Sequence, residues 1–282
     1  MKKPRQKYKY LFFMVFLTSA GALAQTAPTP GPSIPPPAAP MESPAHPGIF
    51  VVAALGDSIS TGMDATNLGD NRSISFATGW DPSVGSHASR LQQLMPWLQV
   101  RSINVAKAGA KSDDLTRQAA EAARYIPDYA TLLIGANDAC SLMGDRAYDL
   151  PRYVNNLTGA IATLVRANPA IQIRLIPIPN MRRLYDLGAA KAHCRLKWSL
   201  APVCRPMFSP IRGAQAKEEF FRLIDRYNAS LNGIAQTFGA NTTVSWGAAS
   251  HQFQPEDVSP IDCFHPSQTG QRTLSWLSFG GN

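Results

Sequence analysis

Residues 50–64 read FVVAALGDSISTGMD. An apolar run from Phe50 to Leu55 stops at Gly56-Asp57-Ser58. A short continuous apolar run closed by a turn signal is the pattern of a strand buried on both faces. Such strands belong to parallel sheets, whose faces are covered by crossover helices. Ser58 then stands at the carboxyl end of a strand, where open α/β sheets gather their sites. Taken alone, a serine there reads as a turn or cap residue as readily as a nucleophile.

The pattern repeats along the chain. Apolar runs at 100–105, 129–134, 171–178 and 242–246 predict four more strands. Helical spacing of apolar residues predicts helices over 87–95, 113–125, 151–167, 215–238 and 266–277. Alternation of strands and helices implies βαβ units and a mostly parallel sheet covered on both faces.

The chain has 282 residues, and its start reads as separate from the fold. Lys2, Lys3, Arg5, Lys7 and Lys9 precede a short apolar run at 11–17, and Ala22-Leu23-Ala24 offers a cleavage site before Gln25. That is the pattern of a secretory signal peptide over residues 1–24. The apolar run is too short for a bilayer of roughly 30 Å. Residues 25–47 follow as a Pro-rich linker, expected to be disordered, with nine of the 23 prolines. The domain is expected at 48–282, in a periplasmic or secreted protein. Of 27 basic side chains against 19 acidic, five basic ones lie in the signal peptide, which leaves 22 against 19. The high pI therefore gives no argument for a nucleic-acid partner.

Four cysteines in an exported chain point to disulfides, with three possible connectivities. Cys194 and Cys204 flank a short segment with Pro202, so Cys194–Cys204 is preferred as a local loop, which leaves Cys140–Cys263. Paired C-x-x-C spacing is missing from the sequence, so a metal site is not expected.

The predicted strand ends carry chemistry. The first gives Asp57-Ser58, the second leads to Gly109, the third gives Gly135-Ala136-Asn137-Asp138, and a late loop holds Asp262-Cys263-Phe264-His265. Acyl transfer needs a nucleophile, a base, a group to orient the base, and donors for an oxyanion. Ser58 suits the nucleophile, His265 the base and Asp262 the orienting carboxylate. The backbone N–H groups of Ser58 and Gly109 and the Asn137 amide suit the oxyanion.

The ordered blocks GDSIS, NVAKAGAKSDDL, GAND and DCFH resemble those of the SGNH, or GDSL, hydrolase superfamily. The resemblance implies a three-layer α/β/α sandwich of flavodoxin-like kind and a serine esterase using Ser58, Gly109, Asn137, Asp262 and His265. It implies no cofactor or metal. The GAND-A-C and IDCFHPS segments look most like the phospholipase B-like lipase branch, which implies phospholipase or lysophospholipase activity. Two positions depart from the family pattern. Ile59 replaces the usual leucine, and Ala136 stands where many members have glycine, a strained choice if φ there is positive.

The remaining candidates read more plainly. Asp57 reads as a loop-bracing acceptor, Ser60 as structural and Asp138 as a cap for the segment after it. His46 falls in the linker, His87 reads as a surface or capping residue, His193 as a possible substrate contact and His251 as structural. Residues 63–85 contain Arg72, Phe76 and Trp80, expected to line one wall of an acyl pocket. Residues 180–213 bring Met181, Leu184, Tyr185, Trp198, Met207 and Phe208 together with Arg and Lys. That mixture suits either an amphiphile with an anionic head group or a disulfide-braced lid. The expected activity is hydrolysis of small or lipid carboxyl esters by a monomer, with transient contact to a membrane surface. A carbohydrate O-acetylesterase of the cell envelope and a catalytically silent binding module are the alternatives.

Overall fold

The computed structural model describes residues 46–141, 149–200, 204–208 and 213–280. The expected signal peptide and all of the expected linker except His46 and Pro47 lie outside the described residues.

Five strands form one sheet in the order β2-β1-β3-β4-β5, with every neighbouring pair parallel. They are β1 (Ile49–Gly56), β2 (Gln99–Asn104), β3 (Tyr129–Leu133), β4 (Gln172–Leu175) and β5 (Thr242–Val244). Each matches a run read from the sequence, because β1 and β3 sit centrally and must be apolar throughout. The edge strand β2 departs from continuous burial: Gln99, Arg101 and Ser102 are exposed. With one neighbour and one solvated side, β2 can carry them.

Successive side chains of β1 divide between two cores. Phe50 and Val52 pack with Ala88 and Leu91 of α2 (His87–Leu94) and with Phe279 of α11 (Gln268–Phe279). Ala53 and Leu55 join a larger cluster with α3 (Leu115–Ala123), α5 (Leu150–Ala167) and α9 (Gly213–Phe238). Each fully buried Leu or Phe contributes roughly 1.5–3 kcal/mol relative to exposure. The protein is thus a three-layer α/β/α sandwich.

His87 is not a surface residue. It is fully buried, with Nδ1 2.7 Å from the Tyr129 hydroxyl and Nε2 2.7 Å from Ser278 Oγ. Burial pushes its pKa well below the usual value, and the charges of Arg174 and Arg90 add to that. It is a neutral core histidine that ties α2 to β3 and α11.

Residues 180–213 contain helices that periodicity left unassigned: α6 (Met181–Ala189), α7 (Ala192–Leu200) and α8 (Arg205–Phe208). The remaining short helices are α1 (Ser58–Thr61), α4 (Ala136–Cys140) and α10 (Gly247–Ser250). Met181, Leu184, Trp198, Met207 and Phe208 are buried in the larger core. Tyr185 stacks on Trp198 at 5.7 Å, Trp198 packs on Phe208 at 4.3 Å, and Phe208 meets Phe264 edge-on at 5.2 Å. Tyr185, Trp198 and Phe208 thus build an aromatic brace behind residues 262–265.

The disulfides are Cys140–Cys204 and Cys194–Cys263, which corrects the expected Cys194–Cys204 and Cys140–Cys263. The reason is α7. Its buried face presents Cys194 and Trp198 together to residues 262–263, so Cys194 is committed to that loop rather than to Cys204. Cys194 instead faces Cys263, with Cα atoms 5.5 Å apart. Peptide mapping without reduction is expected to recover the 140–204 and 194–263 pairs. Replacing Cys140 and Cys204 together by alanine is expected to lower unfolding free energy in urea by roughly 2–5 kcal/mol. A recovered Cys194–Cys204 peptide would contradict the structure.

Candidate active site

The carboxyl end of β1 is pinned before it reaches Ser58. The Gln118 side chain donates to Gly56 O at 2.9 Å and accepts from Gly56 N–H at 2.8 Å. Gly56 has φ +141°, and a Cβ there would lie 2.1 Å from Leu133 O of the neighbouring strand. Only glycine lets the chain turn away so close to β3. Asp57 then caps α1: its Oδ1 accepts from Ile59 N–H at 3.0 Å. Ser58 is the first residue of that turn, so its own N–H is one of the donors a helix start leaves over.

The turn is held from outside. Gln271 of α11 donates to Ile59 O at 2.9 Å, while Asn104 at the end of β2 donates to Ser60 O at 2.8 Å. Ser60 is structural, as expected: it is buried, with Oγ 3.4 Å from Leu55 O.

His265 comes from the loop before α11. Its Nε2 lies 2.7 Å from Ser58 Oγ, and its Nδ1 hydrogen-bonds Asp262 Oδ2. The other Asp262 oxygen accepts from the N–H groups of Phe264 at 2.9 Å and His265 at 3.0 Å. The carboxylate thus shapes the loop with one oxygen and orients the imidazole with the other. Burial works to raise the Asp262 pKa, but the His265 ring and the two loop N–H groups prevail and hold it below the usual range. With Nδ1–H donated to Asp262, Nε2 is left to accept from the Ser58 hydroxyl.

The brace behind this loop comes from 180–208. Cys194 bonds Cys263, the Trp198 indole N–H donates to Asp262 O at 3.1 Å, and Lys197 donates to Pro260 O and Ile261 O. Phe264 meets the His265 ring edge-on at 4.9 Å.

Asn137 opens α4 beyond β3, and its Nδ2 donates to Ala110 O at 3.0 Å. An amide nitrogen has two hydrogens, so one remains. That bond sets the Asn137 block against the turn holding Gly109, which has φ +78°. Ala136 is not strained. Gly135 takes the positive φ, +122°, and its missing Cβ leaves room for Ile178 and Tyr153. Asp138 does not cap its own segment. It reaches back to the Ser112 N–H and hydroxyl, joining the two loops from below.

Of the three residues expected at the pocket wall, Phe76 and Arg72 serve other ends. Phe76 is fully buried in the core, and its N–H donates to Gln271. A side chain with no exposed surface cannot line a substrate wall, so Phe76 belongs to the core and not to the expected pocket wall. Arg72 donates to Asn104 O at 2.7 Å and Ala106 O at 3.0 Å, clamping the loop after β2. Trp80 is 74% exposed.

Asp64 escaped the sequence reading. It is buried, has φ +53°, and its carboxyl lies within 4.8 Å of ligating atoms on Asp262 and His265. Burial pushes its pKa up, opposed by the Gly69 N–H and reinforced by the Asp262 charge. Nothing in TGMDAT marks this aspartate, because its proximity depends on a loop closing 198 positions later at Asp262.

Asp57 is the second acid under strain from burial. Its Oδ2 has no hydrogen-bond partner among the described residues, and it is 1% exposed. Burial pushes its carboxyl up to about 7, opposed by the Ile59 N–H and the nearby His265 and reinforced by Asp138. An acid whose folded pKa is raised stabilises the fold fully below its unfolded pKa, and that advantage is lost as pH rises toward 7. Asp57→Asn keeps the capping oxygen and does not titrate. Relative to wild type, its unfolding free energy is therefore expected to gain on the order of 4 kcal/mol between about pH 4 and about pH 8. Urea unfolding across that range checks it, and parallel curves would mean Asp57 ionises freely.

The profile of the GDSL-like Lipase/Acylhydrolase family matches residues 54–273. A candidate GDSL-like lipase from Parabacteroides merdae superposes with a TM-score of 0.56 at 20% identity, covering 82% of this chain and 94% of that one. LAE5, an alpha/beta hydrolase enzyme from the metagenome of Lake Arreo, gives 0.52 at 18% identity, covering 82% and 95%. At these identities the likeness is one of fold. No curated protein matches the chain.

Proposed function

The chain belongs to the GDSL-like lipase/acylhydrolase family of carboxylic ester hydrolases, and on that premise we propose that it cleaves lipid esters through an acyl intermediate on Ser58. The observation that carries the mechanism is the unbroken line from Ser58 Oγ through His265 to Asp262.

In this mechanism Ser58 Oγ attacks the ester carbonyl carbon as its proton passes to His265 Nε2. Asp262 stabilises the imidazolium through Nδ1. The tetrahedral oxyanion accepts from the Ser58 N–H, the Gly109 N–H and the free hydrogen of the Asn137 amide. Collapse breaks the ester C–O bond, and the alcohol leaves with the proton from His265. Water then attacks the acyl-serine, His265 takes its proton, and the acid departs as Ser58 regains its hydrogen. Loss of one oxyanion donor of this kind typically costs ~10²–10³ in rate.

The substrate class rests on two supports. One is the resemblance of GAND-A-C and IDCFHPS to phospholipase B-like lipases. The other is the exposed pair Leu196 and Leu200 in the basic segment that follows β4. Two disulfides suit an oxidising compartment, and no described helix is long and apolar enough to cross a membrane. Action outside the cytoplasm is part of the proposal.

Hydrolysis of p-nitrophenyl esters from acetate to palmitate, by wild type and Ser58→Ala in parallel, tests both parts. The expected result is a rate that rises with chain length and falls at least ~10³-fold in the variant. Activity confined to acetate would replace lipid esters with O-acetyl groups as the substrate. An unchanged rate in Ser58→Ala would remove the acyl-Ser58 step.

A further inference from the structure

Helix α7 has two faces with different occupants. Cys194 and Trp198, one turn apart, are buried against residues 262–265. Leu196 and Leu200, also one turn apart, lie on the opposite side, 60% and 78% exposed. A lone surface leucine is ordinary. Two on successive turns of one face form a stripe, and this stripe has a particular charge setting. From Leu187 to Phe208 the sequence holds Lys191, Arg195, Lys197 and Arg205 and no Asp or Glu. Among the described residues, none of these four cations forms a salt bridge. Arg195 donates to Ala189 O and Lys197 to Pro260 O and Ile261 O, so each gives hydrogen bonds to neutral carbonyls and keeps its charge.

We propose that α7 docks the protein on an anionic phospholipid surface, with Leu196 and Leu200 entering the acyl layer and the nearby Lys191 and Arg195 meeting the lipid phosphates, while Lys197 holds the catalytic loop. Apolar side chains on one face of a helix, bordered by Lys and Arg, are what an interfacial helix presents. The long cationic stems lie along the apolar boundary while their heads stay at the phosphates. An exposed leucine stripe among unneutralised cations is complementary to a surface that is apolar inside and negative outside.

The placement gives docking a consequence. α7 is joined to the Asp262 loop by the Cys194–Cys263 disulfide, by the Trp198 indole and by Lys197. A surface held by α7 is therefore held beside the residues that meet Ser58. The proposal rests on the lipid-ester reading of the substrate, but its test is independent of turnover.

The experiment is co-sedimentation of the whole protein with large vesicles, in a Ser58→Ala background so that no lipid is consumed. Vesicles of phosphatidylcholine alone are compared with vesicles that also contain phosphatidylglycerol. Strong binding is expected only to the anionic vesicles, and added salt should release it. Leu196→Ser with Leu200→Ser should weaken that binding by roughly tenfold or more. In a Ser58 background the same pair should leave hydrolysis of a water-soluble butyrate ester unchanged, which shows the fold intact. Equal binding by the leucine variant, or no preference for anionic vesicles, would overturn the proposal. So would a leucine-dependent dimer in sedimentation velocity without vesicles, which would assign the stripe to a second copy. No docking by the protein with both leucines in place, together with intact long-chain ester hydrolysis, sinks the docking helix alone. Docking intact with acetate-only hydrolysis sinks the lipid-ester reading alone.

Discussion

Ser58 and His265 are 207 positions apart in the chain, yet His265 Nε2 must stay 2.7 Å from Ser58 Oγ. A hydrogen bond tolerates only a few tenths of an ångström before it weakens. Much of the fold around the sheet edge can be understood as the means of holding that distance. On the serine side the means are polar: Gln118 on Gly56, Asp57 on Ile59, and Gln271 and Asn104 on the carbonyls of the turn. On the histidine side they are covalent and aromatic: a disulfide at Cys263, an indole on Asp262 O, and a line of rings from Tyr185 to Phe264. The difference follows from the local backbone. The serine turn sits on a rigid central strand and needs only its carbonyls satisfied. The histidine lies on a loop with little regular structure and needs a packed support.

The same closeness concentrates acids. Asp57, Asp64, Asp138 and Asp262 all lie at one sheet edge with limited access to water. Only Asp262 is held below its usual pKa, because it alone receives the imidazole and two loop N–H groups together. Burial raises the other three. The carboxylate that faces His265 is thus the one held in its charged form, while burial shifts its neighbours toward the neutral form. That arrangement separates the roles of chemically identical groups through environment alone.

Much of this was legible in the sequence, for a physical reason. Central parallel strands must be apolar along their length, so β1 and β3 announced themselves and located the Ser58 and Asn137 turns. The long helices α5 and α9 showed their periodicity because each covers one face of the sheet. The segment 180–208 was opaque, since α6 and α7 bury their apolar residues against a loop and each other rather than against a strand. Its helices went unassigned, and the preferred disulfide pairing was wrong as a result. Phe76 was expected at a pocket wall and His87 at the surface or a cap for a related reason. Their burial depends on Gln271, Tyr129 and Ser278, partners that local sequence does not reveal. Asp64 was invisible because its partner is a loop from the far end of the chain.

The central claim is that Ser58 forms a covalent intermediate with His265 as its base. A fluorophosphonate probe tests it most directly, since it traps the serine that a base has activated. Mass spectrometry of the labelled, digested protein is predicted to find one adduct per chain, on Ser58. Labelling should slow sharply in His265→Ala, a variant expected to keep the wild-type circular dichroism. An adduct on Ser60 or another serine, or equal labelling rates with and without His265, would contradict the account.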